Sequence, residues 1–338
     1  MENINVNVII KGCNIYHPES AFNNSYFIEH FEKLGLECEG LMKKLGRKNH
    51  YLINNDHENA LTMGIESSKK ALESAGIAPE DLDMIVFVSE TPEYTCPTTA
   101  MVLRERIGAK NANVVYDMNC NCLGMLMGAD TVSRFMKTNK RVKHALIVGS
   151  IYLSFITKKT DNITYPLFGD GSGAVILERE ESDEIRGFID SIHYTDSSLN
   201  DKVRYPKCGH SKIHKADVSE EDKLFEFVPH DVDFFAKIWT GKVKQLLEET
   251  DISISEIDHF IFSQFDKEEI KETLENLDVE FSEDKYTFVC EKYGYTGNSS
   301  PFFALYEAMK TGKIKEGSKV IFCGEAIGFE IMTVLYQF

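Results

Sequence analysis

Ala71-Leu-Glu-Ser-Ala-Gly-Ile-Ala-Pro-Glu-Asp-Leu-Asp83 lies over Leu246-Leu-Glu-Glu-Thr-Asp-Ile-Ser-Ile-Ser-Glu-Ile-Asp258 at a constant offset of 175 residues. Each stretch reads as a helix end, a turn and a short acidic link. Each runs into a β-rich segment, Met84-Ile-Val-Phe-Val-Ser in the first and His259-Phe-Ile-Phe-Ser in the second. The match continues downstream: Met136-Lys-Thr-Asn-Lys resembles Met309-Lys-Thr-Gly-Lys at 173, and Ala145-Leu-Ile-Val-Gly149 matches Val320-Ile-Phe-Cys-Gly324 at 175. Three pieces in step describe a duplicated half, since solenoid repeats run only about 20–50 residues. Strands alternating with helical patterns predict α/β halves of right-handed βαβ units on largely parallel, buried sheets. The halves are expected to be 1–181 and 182–338, meeting in the acidic run Glu178-Arg-Glu-Glu-Ser-Asp-Glu184 and packing as stacked layers. A polar segment, 196–222, broken by Pro206 and Gly209, reads as a surface excursion of the kind that carries function.

Composition narrows the function classes. A chain of 338 residues with 43% hydrophobic content can bury a full core, and a net charge of −17 with pI ≈ 5.1 argues against nucleic acid or an anionic membrane as partner. The longest apolar runs are strand-sized, and MENINVNVIIKG at the start lacks the features of a signal peptide, so a cytoplasmic location is expected. Eight cysteines are scattered without a CxxC pair, which predicts thiols rather than a disulfide framework or a zinc site. His210 and His214 have a spacing that suits metal ligands on a helix, but only Cys208 lies nearby, and no metal or bound cofactor is expected. His193 and His259 read as strand residues.

One cysteine stands apart. Ala112-Asn-Val-Val-Tyr-Asp-Met118 reads as a strand, Asn119-Cys-Asn-Cys122-Leu-Gly124 follows, and an apolar-periodic helix then runs to about Thr138. Cys122 therefore sits between strand and helix, where first-turn N–H groups favour a thiolate and lower the thiol pKa. That placement suits a nucleophile; a packing thiol at a helix start is the plain alternative. Cys120 reads as inward-facing filler.

Five segments carry a family resemblance: Ser89-Glu-Thr-Pro-Glu-Tyr94, Arg106-Ile-Gly-Ala-Lys-Asn111, Asp117-Met-Asn-Cys-Asn-Cys122-Leu-Gly124, Leu167-Phe-Gly-Asp-Gly-Ser-Gly-Ala-Val175 and the tail from Lys292 onward. They resemble β-ketoacyl-acyl carrier protein synthase III and its thiolase-superfamily relatives. The resemblance implies a thiolase-like fold with two halves stacked as αβαβα layers, and an acyltransferase of fatty-acid or specialised-metabolite biosynthesis. Cys122 would take an acyl group as a thioester from acyl-CoA or an acyl carrier protein and pass it to an acceptor. The resemblance also implies a dimer, of two identical chains or with another thiolase-fold subunit. Gly169, Gly171 and Gly328 match backbone positions at the cleft or oxyanion hole. The basic run Lys43-Lys-Leu-Gly-Arg-Lys48 lies where relatives receive the donor, which nominates Lys43, Lys44, Arg47 and Lys48.

The match departs at the residues that define the family's reaction. The family's His-Gln-Ala-Asn motif reads Phe262-Ser-Gln-Phe-Asp266, putting Ser263 at the histidine and Asp266 at the asparagine. Its Gly-Asn-Thr motif falls in Tyr293-Gly-Tyr-Thr-Gly-Asn298, with Tyr295 at the asparagine and Asn298 three residues on. The Gly-rich C-terminal loop reads Glu325-Ala-Ile-Gly-Phe329. A serine cannot act as a base near neutral pH, and a carboxylate beside an enolate raises its energy. Decarboxylative condensation is thus disfavoured, while Tyr295 can still donate to a carbonyl oxygen. Glu90 matches by position the acid/base glutamate of hydroxymethylglutaryl-CoA synthases and is a candidate base. Two further readings are a degenerate subunit of a heteromeric thiolase-fold complex and a true ketoacyl synthase with rearranged loops.

Overall fold

The computed structural model describes residues 4–232 and 234–338. Nine strands form the main sheet: β1 (Asn5–Tyr16), β2 (Met84–Val88), β3 (Val114–Met118), β4 (His144–Ile151), β5 (Gly171–Ser182), β6 (Gly187–Thr195), β7 (His259–Phe262), β8 (Lys319–Ala326) and β9 (Glu330–Gln337). Their order is β7-β8-β9-β6-β1-β5-β4-β2-β3. The main helices are α1 (Ala60–Ala75), α2 (Thr99–Ile107), α3 (Gly124–Thr138), α4 (Phe235–Glu249), α5 (Lys267–Asn276) and α6 (Ser300–Lys310).

The short apolar runs become strands because both of their faces are covered. Every residue of β2 and β4 is buried, which only a sheet with helices on both sides allows. One face of β2, β4 and β5 (Ile85, Phe87, Leu146, Val148, Ala174, Ile176) packs on α1 and α2. The other face joins β8 and β9 in a core filled by Met125, Val132 and Met136 of α3 and Phe302, Phe303 and Leu305 of α6. Beyond β7, β8 and β9, the side chains Phe260, Ile321 and Leu335 pack on Trp239 and Leu246 of α4 and Ile270 and Leu274 of α5. The result is five layers, αβαβα.

Pairing within the sheet follows the repeat. Met84 lies opposite Ala145 in a parallel pair, and His259 lies opposite Val320 in another, so both partners shift by the offset read in the sequence. The two groups of strands meet at one registered pair, Val8 with Gly187. The expectation of largely parallel sheets needs correcting. Pairs β1–β5, β4–β5, β8–β9 and β6–β9 are antiparallel. β8 returns as β9 through a tight turn at 327–329, and a strand that follows its neighbour without a crossover helix must run against it.

The polar segment after β6 does not drift from the body. Its strand Val203–Arg204 pairs with Glu226–Phe227. Phe225 and Phe227 pack with Ile151, Leu153 and Phe168, which sets this segment over the carboxyl ends of β2 and β4. Among the described residues no helix is long and apolar enough to cross a membrane.

Candidate active site

β3 ends at Met118, and the chain turns sharply before α3. Asn121 holds φ 46, its amide bonded to the Asn119 side chain at 2.9 Å, and Cys122 follows inside a 3-10 turn (Asn121–Leu123). Asparagine tolerates this left-handed backbone because its short side chain bonds locally. The elbow presents the half-buried Cys122 to a pocket of about 230 Å³. The Tyr295 hydroxyl and the Ile327 amide face its sulfur and favour its thiolate.

Tyr295 is buried, and its backbone is pinned on both sides. Its N–H donates to Leu167 O at 3.0 Å, and its carbonyl accepts from Gly169 N at 2.9 Å. A Cβ at Gly169 would sit 2.1 Å from the Tyr293 carbonyl, so only glycine lets the two segments run this close. Gly169 thereby positions Tyr295. Gly171, packed on Thr296 and Phe303, is likewise outside the pocket lining, whereas Gly328 (φ 90) is part of it.

Two carboxyls share the pocket. Glu90, just past β2, accepts from Asn298 Nδ2 at 2.7 Å; Glu325, on β8, accepts at Oε1 from the Ser263 hydroxyl at 2.7 Å. Burial lifts each from 4.5 to about 7. Glu325 Oε2 is buried with no partner. Neither acid has a Lys, Arg or His partner among the described residues.

The thiol departs from the sequence reading. Burial first, and then the charge of Glu90, push Cys122 up from 9.0 to about 12, against the lowering expected at a helix start. Helix α3 begins two residues after the sulfur, and a helix end contributes at most about 2 kcal/mol, roughly one and a half pKa units. Desolvation beside two acids outweighs it. Cys122 rests as a neutral thiol.

Other expected positions fall as follows. Asn298 is fully buried and braces Glu90. Asp266 caps α5, accepting from Glu268 N at 2.9 Å, and does not line the pocket. Arg47 is not on a basic surface: it is 1% exposed and donates to the carbonyls of Leu45 (2.5 Å) and Phe265 (2.7 Å). Burial lowers its pKa, and its role is to pin the loop before it to Phe265, a pocket-wall residue. Lys43, Lys44 and Lys48 are exposed, outside the pocket lining, with Lys48 paired to Glu291. His259 is buried against Asp284 O and Thr287 Oγ1, each at 2.9 Å.

Sequence reasoning passed over Glu325 as a second acid, although an acid near the end of an otherwise apolar strand was a legible signal. It also passed over the Ile327 amide, which no side-chain pattern announces. The pocket's outer wall was foreshadowed only as a functional excursion: Leu199, Lys202, Arg204, His210, Phe227 and His230 all come from it or just beyond.

Relatives agree with this architecture. Residues 116–197 match the family model described as 3-oxoacyl-[acyl-carrier-protein (ACP)] synthase III, and 247–338 match the model of its C-terminal part. The β-ketoacyl-[acyl-carrier-protein] synthase III of Staphylococcus aureus (strain JH1) is 30% identical over 320 residues, 94% of this chain and 95% of the relative. The protein of the same name from Clostridium acetobutylicum is 29% identical over 319 residues, 94% of each chain. The crystal structure of 3-oxoacyl-[acyl-carrier-protein] synthase III from Aquifex aeolicus VF5 superposes with TM-score 0.84 at 25% identity, covering 98% of this chain and all of that one. With both halves of the site-bearing fold matched over nearly their whole length, the chain belongs to the 3-oxoacyl-[acyl-carrier-protein] synthase III family of thiolase-fold enzymes.

Proposed function

We propose that this enzyme is an acyltransferase in which Cys122 accepts an acyl group from an acyl-CoA or acyl-carrier thioester and passes it to an acceptor without decarboxylation. The observation that carries this reading is the thiol itself, half-buried in a largely apolar pocket with a hydroxyl, an amide and a carboxyl of pKa about 7 around it. As sulfur attacks the thioester carbonyl, its proton passes to Glu90. The Tyr295 hydroxyl and Ile327 amide support the developing charge on sulfur. The CoA or carrier thiolate leaves with its bonding pair and is reprotonated, which returns Glu90 to the carboxylate. Asn298 and Ser263 act as positioning residues, each fixing one acid by a hydrogen bond.

Two features favour transfer over malonyl condensation. Ser263 spends its proton on Glu325, so it offers no donor to an enolate, and two acids repel a malonyl carboxylate. The reading includes the exposed Lys43, Lys44 and Lys48 as an outer guide for the donor's phosphates, a cytoplasmic setting, and a dimer of identical or related chains. It also treats 1–181 and 182–338 as the duplicated units. The test is intact mass and peptide mapping after incubation with acyl-CoAs and acyl-carrier thioesters of graded chain length. Cys122 gains the acyl mass and Cys122→Ala does not. No adduct with any donor would overturn the reading in favour of a non-catalytic subunit, and release of CO2 from malonyl donors would restore the condensing one.

A further inference from the structure

The inner pocket holds more acids than acylation uses. One base suffices to take the Cys122 proton, yet Glu90 and Glu325 both line the pocket and both act on the same sulfur. They come from opposite halves of the chain and are separately braced, Glu90 by Asn298 and Glu325 by Ser263. The bracing leaves Glu325 Oε2 buried and without a donor. Burial without a counter-cation raises both acids to about 7, so that each titrates near neutral pH. A hydrogen-bond-donating cation from outside the protein would stabilise both as carboxylates and give Glu325 Oε2 its donor.

We propose that the acceptor is a primary amine, bound as its ammonium between Glu325 and Glu90 with an N–H on Glu325 Oε2, and that the reaction forms an amide. This rests on the acyl-Cys122 reading above and names its acceptor class. An alcohol brings no charge to offset the acids, and a malonyl group brings charge of the wrong sign. The ammonium yields one proton to a carboxylate, and the nitrogen lone pair forms the C–N bond at the thioester carbonyl. The tetrahedral adduct collapses, the C–S bond breaks with its electron pair on sulfur, and a nitrogen proton passes through the second acid to that sulfur. The products are an amide, the Cys122 thiol and one proton released to solvent. The apolar wall of Ile151, Leu153, Phe168 and Phe265 accepts an alkyl body behind the nitrogen.

The test compares n-hexylamine with 1-hexanol, isosteres that differ in charge. In calorimetric titrations of the unacylated enzyme, hexylamine should bind at least about tenfold tighter than hexanol. Glu325→Gln should abolish the preference, and Glu90→Gln, a second variant in case the first does not fold, should weaken it. Equal binding by the wild type, or a preference that survives both substitutions, overturns the proposal. Added to acyl-Cys122 enzyme, hexylamine should discharge the acyl group into an amide seen by mass spectrometry, at least about tenfold faster than hexanol does. Discharge by hexanol at the same rate, or no amide from an enzyme that does acylate, overturns the amine acceptor and leaves acylation standing. Failure to acylate overturns the proposed function, and the binding comparison still decides whether the pocket selects an amine.

Discussion

Replacing Glu90 with glutamine should speed alkylation of Cys122 and slow its acylation, opposite effects from one substitution. The thiol stands at about 12 rather than 9.0, so its thiolate is about a thousandfold rarer at neutral pH than that of a thiol left at 9.0. Burial is the larger cause, and the Glu90 charge is the next. A unit charge one side chain away acts with roughly 3–4 kcal/mol at an effective dielectric near 20, and half-exposure reduces this to about one pKa unit. Iodoacetamide at pH 8.5, where Glu90 is ionised, should therefore alkylate Glu90→Gln about tenfold faster than wild type. At pH 5.5 the carboxyl, with a pKa of about 7, is already neutral and the two proteins should react alike. Acylation moves the other way, falling by about a hundredfold or more, because the proton acceptor is gone. Mass spectrometry of the Cys122 peptide reads both rates. Equal alkylation at pH 8.5, or a gain as large at pH 5.5, would refute the account of the thiol as held neutral by its acidic neighbour. Wild-type Cys122 alkylating at neutral pH as fast as free cysteine would refute it outright.

Glu325 sets a pH signature for stability. The folded chain holds its proton up to about 7 while the unfolded chain releases it near 4.5, so this contribution is full below 4.5 and is lost as pH rises through about 7. Thermal melts should show Glu325→Gln a few degrees, ~2–4 °C, above wild type at pH 8 and level with it at pH 4. Gly149→Ala would place a Cβ 2.5 Å from Asn298 Oδ1 and 2.8 Å from Met125 Sδ. Displacing Asn298 should cut the acylation rate about tenfold and cost about 1–3 kcal/mol in urea unfolding. Arg47→Met removes the bonds to Leu45 and Phe265 and should destabilise by about 2–4 kcal/mol. The double change Lys43→Glu with Lys44→Glu should leave stability within ~0.5 kcal/mol, since both side chains are exposed, and raise KM for the acyl-CoA.

The layered fold was legible because it is written in local pattern repeated at long range. Met84–Val88 and His259–Phe262 are each short apolar runs after an acidic link, and their spacing to Ala145 and Val320 carries the pairing directly. Strand direction was less legible. The turn at 327–329, which makes β9 run against β8, is too short for the crossover helix that a parallel pair needs, and nothing in its residue pattern sets it apart from the loops of a βαβ unit. The run around Arg47 shows the same limit at the level of one side chain. Four cations in six residues look like a surface patch, yet the guanidinium faces inward because Phe265, from the other half of the chain, offers it a carbonyl.

The sequence by itself determined that two α/β halves recur and that a cysteine stands at a strand-to-helix elbow, since periodicity, turn chemistry and motif spacing are properties of neighbouring residues. Only the tertiary structure decided what that cysteine is. Residues 90, 122, 295 and 325 meet in one pocket bordered by the segment around 199–232, with 263 and 298 bonded to its two acids, and burial there raises the thiol and both acids together. Ionisation depends on solvent and charge within a few ångströms in space, a neighbourhood that no stretch of chain contains. On the function proposed here the elbow holds the nucleophile, and its proton goes to the acid beside it rather than being loosened by the helix behind it.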